Sequence, residues 1–296
     1  MTDRPARLAV GVVSAGRVGS VVGAAWAAAG HHVIATSGVS RDSVRRAAAL
    51  LPDVPLEPPD EVVAKADLAL LAVPDDVLPG LVRGLAAAGS FRPGQIVVHT
   101  SGAHGVGVLE PAAENGVLPL ALHPVMTFTG RTEDVARLAG CSVGVTAASG
   151  DEAAWSVGEV LVVEMGAEPV RVPEEVRPLY HTALAHGANH LVTLVRDSVE
   201  TLERAGVTPA ERLIAPLLSA ALDNALRHGD RALTGPVARG DVETVRTHLR
   251  ELAAADPDLA ETYRVLAART ARRAAAAGLL PEYAAHEVLS TLQEKP

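Results

Sequence analysis

Up to Pro173 the chain alternates between short β-branched or leucine-rich runs and longer stretches with helical spacing of apolar residues. The runs are Leu8–Val13, Val33–Thr36, Leu68–Val73, Ile96–His99, Leu118–Leu122, Ser142–Thr146 and Pro169–Val172. Strands separated by helices make βαβ units and a mostly parallel sheet. Beyond Pro173 the pattern is helical only. Pro178 opens a helix that runs to Gly206, and Thr208-Pro-Ala-Glu211 reads as a capping box for the next, which ends near Gly229 with a kink at Pro216. Asp241 and Asp256-Pro257 read as N-caps, and Gly278 as a stop. The expected class is α/β over residues 1–172, followed by an all-α domain over 173–296.

The first run breaks into Ser14-Ala15-Gly16-Arg17-Val18-Gly19 and reopens as an alanine-rich helix. This is the strand–turn–helix context of a dinucleotide-binding G-x-G-x-x-G, with Ser14 in place of the first glycine. Gly16 lets backbone approach a pyrophosphate, and Gly19 lets the helix pack close on the strand; Gly23 extends that small-residue face. Ser14 fits the tight turn if its φ stays negative. The helix N-terminus at Arg17–Val18 then offers N–H groups and dipole to the phosphates. About 20 residues on, where an acid would bind the ribose 2′-hydroxyl of NAD, the second strand ends Thr36-Ser37-Gly38-Val39-Ser40-Arg41 without one. Hydroxyls and a guanidinium suit the 2′-phosphate of NADP. The plainer alternative makes Ser40 a helix cap and Arg41 a solvated side chain, and one loop accommodates both roles. Asp42 is a counter-signal, expected to turn into the first helical turn.

Composition narrows the setting. At 296 residues the chain is long enough for two domains, each with its own core. Aromatics make up only 2% against 48% hydrophobic residues, so the core must be built from Ala, Val and Leu. A net charge of −9 argues against nucleic acid or an anionic membrane as partner. The single Cys141 excludes an intramolecular disulfide and suits a reduced, cytoplasmic setting. Arg4 and Arg7 before an apolar run resemble the start of a secretion signal, but Arg17 and the glycines interrupt that run.

Three strand ends place polar groups along the edge where such sheets hold ligands. Val73-Pro74-Asp75 makes a turn, with ordinary turn chemistry and an Asp N-cap as the plainer reading. His99-Thr100-Ser101-Gly102 and His123-Pro124 bring hydroxyls and imidazoles toward a nicotinamide, though a strand-end His is often only a structural hydrogen-bonding residue. No Cys or acid stands at a zinc-ligand spacing to these histidines. On the helix from Pro178, Leu184, Ala188, Leu191, Val195 and Leu202 share one face, and Thr182, His186, Asn189, Thr193, Arg196 and Glu200 the other. The polar stripe reads either as a solvated face or, in its neutral first half, as cleft lining, with His186 and Asn189 converging on a substrate oxygen.

The order of sheet and helices resembles the superfamily of β-hydroxyacid dehydrogenases, ketopantoate reductases and pyrroline-carboxylate reductases. Ser14–Gly19, His99–Gly102, His123-Pro124 with Thr127-Phe128, Tyr180-His181 and Leu233-Thr-Gly-Pro236-Val-Ala-Arg-Gly-Asp241 are more closely similar to Rossmann-like NADP-binding proteins with a C-terminal helical domain of unknown function. In the dehydrogenases and ketopantoate reductases a catalytic Lys stands one turn before an Asn; Asn189 matches the Asn, but the Lys position is Ala185. The turn at Thr234–Asp241 is explained by Gly-Pro geometry and an Asp cap, yet Arg239 there is the nominee for holding a substrate carboxylate. The resemblance implies an NADP(H)-dependent oxidoreductase reducing a small carbonyl or imine compound bound between two domains, a ketopantoate-like keto acid being the first candidate. His186, Asn189, Ser101, His123 and Arg239 are the catalytic candidates. Ser14–Gly19, Ser37, Ser40, Arg41, Val73, Pro74, Thr100 and Ser101 are the cofactor candidates. It also implies a homodimer through the helical domain. A non-catalytic NADP(H) sensor and a deazaflavin-linked reductase are the alternatives.

Overall fold

All seven apolar runs form strands in the computed structural model, which describes residues 7–294; Arg4 lies outside them. The strands are β1 (Ala9–Val13), β2 (His32–Thr36), β3 (Leu68–Leu71), β4 (Ile96–His99), β5 (Leu118–Pro124), β6 (Ser142–Thr146) and β7 (Glu168–Arg171). They make one sheet in the order β2-β1-β3-β4-β5-β6-β7. Every pairing is parallel except β5 with β6. That antiparallel pairing carries β5 past its expected end at Leu122: His123 stands opposite Gly144 and Pro124 opposite Val143.

Strand alternation divides the core between the two faces of the sheet. Val10, Val12, Leu68, Leu70, Val98 and Leu120 pack on one side, and Val13, Ala69, Leu71 and Val97 on the other. The helices of this half are α1 (Arg17–Ala29), α2 (Arg41–Leu50), α3 (Pro59–Lys65), α4 (Leu78–Ala87), α5 (Glu110–Ala113), α6 (Glu133–Leu138) and α7 (Glu152–Glu164). Trp26 of α1 is fully buried in the first cluster, its indole N–H donating to the Leu161 carbonyl of α7 at 3.0 Å. With so few aromatics, this ring is the bulkiest piece of an otherwise aliphatic core.

The chain divides into one compact unit up to Gly187 and another from Ala188. Its later helices are α8 (Arg177–Arg204), α9 (Ala210–His228), α10 (Gly235–Arg239), α11 (Val242–Ala255), α12 (Pro257–Ala276) and α13 (Glu282–Gln293). In the second unit, Val237, Val245, Leu249, Val288 and Leu292 close on Ala267, Ala271 and Ala274 of α12, whose small side chains allow close helix approach. Asp241 and Asp256 cap α11 and α12, and Gly278 stands just past α12 at φ +71°.

The capping box at Thr208 does not form. Pro209 is the N-cap of α9, so Glu211 falls one position too early to reach back, and no side chain caps the helix. The helix continues unbroken through Pro216. Its apolar face is open: Leu213, Leu217, Leu222 and Leu226 are exposed, Leu226 at 80%. The middle of α8 is likewise exposed all round, Leu191, Val192 and Leu194 included, which departs from the single buried stripe its spacing suggests.

Two glycines separate packing from propensity. A methyl at Gly19 would collide with the Ser14 carbonyl and come within 3.0 Å of Ala72 Cβ, whereas Gly84 in α4 has nothing within 4 Å. Gly19→Ala is expected to lower stability by about 1–3 kcal/mol and Gly84→Ala to raise it by about 0.5–1 kcal/mol, read as opposite shifts of the urea midpoint.

Candidate active site

The glycine turn is under strain at its first position. Ser14 has φ +77°, in the left-handed region, so the expectation of a negative φ is overturned. A residue with a Cβ is held there at a cost of about 1–2 kcal/mol. What holds it is Ser37 at the end of β2: its buried hydroxyl accepts the Ser14 N–H at 2.8 Å, and its carbonyl accepts the Ala15 N–H at 2.6 Å. Gly16 is the N-cap of α1, with no side-chain cap and no acid in the first turn. The opening amides of Arg17, Val18 and Gly19 are therefore available to an anion, and the residues present fit a pyrophosphate.

Beside the turn, Ser40 caps α2, its Oγ accepting the Ser43 N–H at 3.0 Å. Asp42 lies in the first turn as expected, and the Arg45 guanidinium bonded to it holds its carboxyl below the usual range. Arg41 is exposed. A methyl at Gly130 would come within 2.7 Å of Arg46 Cδ and 3.0 Å of Arg17 Cγ, so the loop after β5 packs directly on two arginine stems. The buried Asp134 fixes that loop, accepting the N–H groups of Thr129 and Gly130 and the Thr129 hydroxyl.

At the ends of β3 and β4, Val73 and Thr100 are half-buried and Pro74 exposed. Asp75 is not an N-cap, because α4 starts at Leu78 with Val77 as its cap; the Asp75 carbonyl pairs instead with His104 Nε2 at 3.0 Å. His99 is fully buried and both its ring nitrogens are engaged. Nδ1 accepts the Ser101 N–H at 3.2 Å and Nε2 donates to the Gly105 carbonyl at 2.9 Å. Burial pushes its pKa down to about 3, so it is a neutral strut. The Ser101 hydroxyl accepts the His104 N–H at 3.0 Å.

The segment entering α8 grips this edge. Arg177 is 1% exposed, yet its hydrogen bonds run to neutral oxygens: Nε to the His104 carbonyl at 2.6 Å, Nη1 to Thr146 Oγ1 at 2.9 Å and Nη2 to the Ser101 carbonyl at 2.8 Å. Glu174 accepts the N–H groups of Val106 at 2.7 Å and Gly107 at 3.1 Å. A methyl at Gly105 would collide with that carboxylate. Tyr180 donates or accepts at His123 Nδ1 over 2.8 Å, and the Arg177 guanidinium lies 5.8 Å from the centre of the Tyr180 ring. His181 meets His123 edge to face at 6.2 Å. Gly102 faces both: a methyl there would lie 2.6 Å from His181 Cδ2 and 2.8 Å from His123 Nε2. Burial first, and the charge of Arg177 next, lower the His123 pKa to about 4.

Of the other nominees, His186 and Asn189 are exposed on α8, and Arg239 is exposed at the end of α10. Asn189 and Arg239 belong to the second unit. Sequence reasoning passed over Glu174 and Arg177, and took Tyr180 only as part of a motif. Their three-residue spacing was the available signal, and its polarity is inverted: Arg177 is buried while Leu179 is 74% exposed. Among the described residues no group of three His, Cys, Asp or Glu is placed to hold a metal, and no helix is long and apolar enough to cross a membrane.

Residues 2–124 match the Rossmann-like domain, and residues 141–270 match a domain of unknown function (DUF2520). The chain combines a Rossmann-like domain with a DUF2520 domain. No curated protein matches it in sequence. Among solved structures, a Bacteroides fragilis protein assigned as a candidate NADP oxidoreductase superposes with a TM-score of 0.74 at 19% identity, covering 89% of this chain and 98% of its own. An imine reductase from Streptomyces aurantiacus gives 0.65 at 18% identity, over 97% of this chain and 100% of its own. Pyrroline carboxylate reductase from Plasmodium falciparum, with NADP bound, gives 0.58 at 11% identity, over 97% and 98%. These similarities establish a shared fold.

For the Rossmann-like half, two stability predictions follow from the grip on the sheet edge. Arg177→Leu leaves the Ser101 and His104 carbonyls without their donor, and is expected to cost about 2–4 kcal/mol in urea unfolding and to speed amide exchange across residues 100–108. The histidines set the pH response. Unfolded imidazoles take protons near pH 6.5, but folded His123 and His99 take them only near about 4 and about 3, so stability is expected to fall as pH drops below 6.5 and to level off below those values. Urea midpoints measured from pH 7 to pH 4 check this, and His123→Gln is expected to flatten the slope.

Proposed function

We propose that the protein is an NADP(H)-dependent oxidoreductase acting on a small carbonyl or imine compound, with ketopantoate-like keto acids as the first candidates. The observation that carries this reading is the uncapped, acid-free N-terminus of α1 behind Gly16, next to a sheet edge that gathers His123, Ser101 and Tyr180. In this reading the amides of Gly16–Gly19 hold the pyrophosphate, with Ser14 and Ala15 shaping the turn. Ser40 and Arg41 take the 2′-phosphate, Arg17 and Arg46 adding positive charge, while Ser37 supports the loop from behind. Val73, Pro74, Thr100 and Ser101 line the nicotinamide half. When bound, the nicotinamide supplies the hydride; the protein positions the acceptor and polarises the bond to be reduced.

His186 is a further candidate for the substrate, and Asn189 and Arg239 are carried as candidates by their sequence positions. A second reading, a non-catalytic NADP(H) sensor, is favoured by Ala185, which stands where related reductases carry a lysine. Loss of NADPH absorbance across a keto-acid and imine panel separates the two: turnover supports the reductase, and tight NADPH binding without turnover supports the sensor. Arg41→Ala is expected to weaken NADPH about tenfold and leave NADH unchanged, one charge-assisted contact being lost. Equal effects on both cofactors would sink the NADP assignment.

The same reading includes a homodimer formed by the helical unit. Its support is the exposed leucine face of α9, Leu217 at 68% and Leu226 at 80%, with the exposed apolar residues of α8. Light scattering is expected to give the dimer mass for the native chain and the monomer mass for Leu217→Glu/Leu226→Glu.

A further inference from the structure

Around the end of β5 the fold arranges one imidazole so that its two nitrogens differ. His123 lies within the strand, its backbone fixed by pairing with Gly144. On one side, Nδ1 is 2.8 Å from the Tyr180 hydroxyl. That hydroxyl is itself located by a bare Cα: a methyl at Gly144 would be 2.6 Å from Tyr180 Oη and 3.1 Å from Cζ. On the other side, Nε2 points over Gly102, 2.8 Å from where a methyl would stand, and no hydrogen bond to it occurs among the described residues. Gly102 follows directly on Thr100 and Ser101, at the end of β4. His99, one strand away, has both nitrogens engaged by backbone. Of the two strand-end histidines, only His123 therefore has a nitrogen left for a ligand.

We propose that Tyr180 is a positioning residue that donates its O–H to His123 Nδ1, and so holds His123 as the neutral Nε2–H tautomer that donates a hydrogen bond to the oxygen or nitrogen of the group being reduced. The assignment rests on the reductase reading above. A hydrogen bond to one ring nitrogen fixes which nitrogen carries the proton. Around the ring, Arg177 and His181 oppose a positive charge and Asp75 alone favours one, while burial acts against it most of all. The neutral imidazole is thus the form present at neutral pH. Its N–H polarises the acceptor as negative charge develops there, in a site whose donors are already oriented. The Nε2 proton stays on the ring throughout. The new C–H bond takes the hydride of NADPH, and the new O–H or N–H bond takes its proton from water, leaving hydroxide.

The same geometry explains why two positions around the ring have no side chain to spare. Gly144 makes room for Tyr180 Oη, and Gly102 makes room for the edges of His123 and His181. The Arg177 guanidinium near the Tyr180 ring helps keep that ring where Oη reaches Nδ1.

The test uses the full-length protein labelled with ¹⁵N-histidine, read by two-bond ¹H–¹⁵N correlation at pH 7, with the His123 signals assigned by their loss in His123→Gln. The expected result is a bare Nδ1 and a protonated Nε2 in the native chain, and a tautomer mixture in Tyr180→Phe. A protonated Nδ1, a cationic ring at pH 7, or no change in Tyr180→Phe overturns the proposal whatever the enzyme activity. The second arm follows NADPH oxidation with ketopantoate and 1-pyrroline. Tyr180→Phe is expected to lower kcat about 10- to 100-fold with KM within about threefold, and the native kcat profile to show no ionisation near pH 6.5 on its acid side. Turnover with kcat unchanged in both Tyr180→Phe and His123→Gln overturns the proposal but leaves the reductase reading intact. The expected tautomer with no oxidation of NADPH by either compound counts against the reductase reading instead, and removes the catalytic half of the proposal with it. If Tyr180→Phe unfolds, Gly144→Ala displaces the same hydroxyl and is read by the same two measurements.

Discussion

A buried guanidinium that hydrogen-bonds only neutral oxygens is the constraint on which the sheet edge depends. Arg177 ties together the Ser101 and His104 carbonyls of the loop after β4 and the Thr146 hydroxyl at the end of β6. Burying a charge without a paired carboxylate is costly, and the cost is tolerable only because each bond is well placed. The return is a fixed loop and a local positive field. That field reaches two imidazoles and a phenol: it opposes a second positive charge on His99 and His123, and it acts on Tyr180 against the effect of burial. One side chain thus sets both the shape and the electrostatics of the edge.

The glycine turn shows the same economy on the other side of β1. Ser14 adopts a conformation suited to glycine, and the strain is held by Ser37 reaching across from β2. Ser37 therefore serves as a brace for the turn, as Ser40 serves as the cap of α2, and both hydroxyls are already engaged by backbone N–H groups.

The sheet was legible because its strands are short β-branched or leucine-rich runs separated by stretches with helical spacing, and the ends of all seven lie within two residues of those runs. The helix starts were legible where an Asp caps them, at Asp241 and Asp256, and not at Thr208, where the helix begins one residue later than the box requires. The site was only half legible. Ser14–Gly19 and the β4 and β5 ends carry local signatures, but Arg177 touches residues 31 to 76 positions away and leaves no local trace beyond its spacing from Glu174 and Tyr180. Helical periodicity misled for α8, because a stripe of leucines shows which residues share a face but not whether anything covers it.

Gly105 and Glu174 carry a final consequence. They are 69 positions apart, yet the carboxylate occupies the volume a side chain at 105 would need, while it receives the two amides that follow that glycine. The two positions therefore act as one structural unit. A drift to alanine at 105 expels the acid, and a shorter acid at 174 strands the amides, so neither change is neutral alone. The loop that carries Ser101 is thus held from outside itself, by an empty volume at 105 that only a distant carboxylate fills.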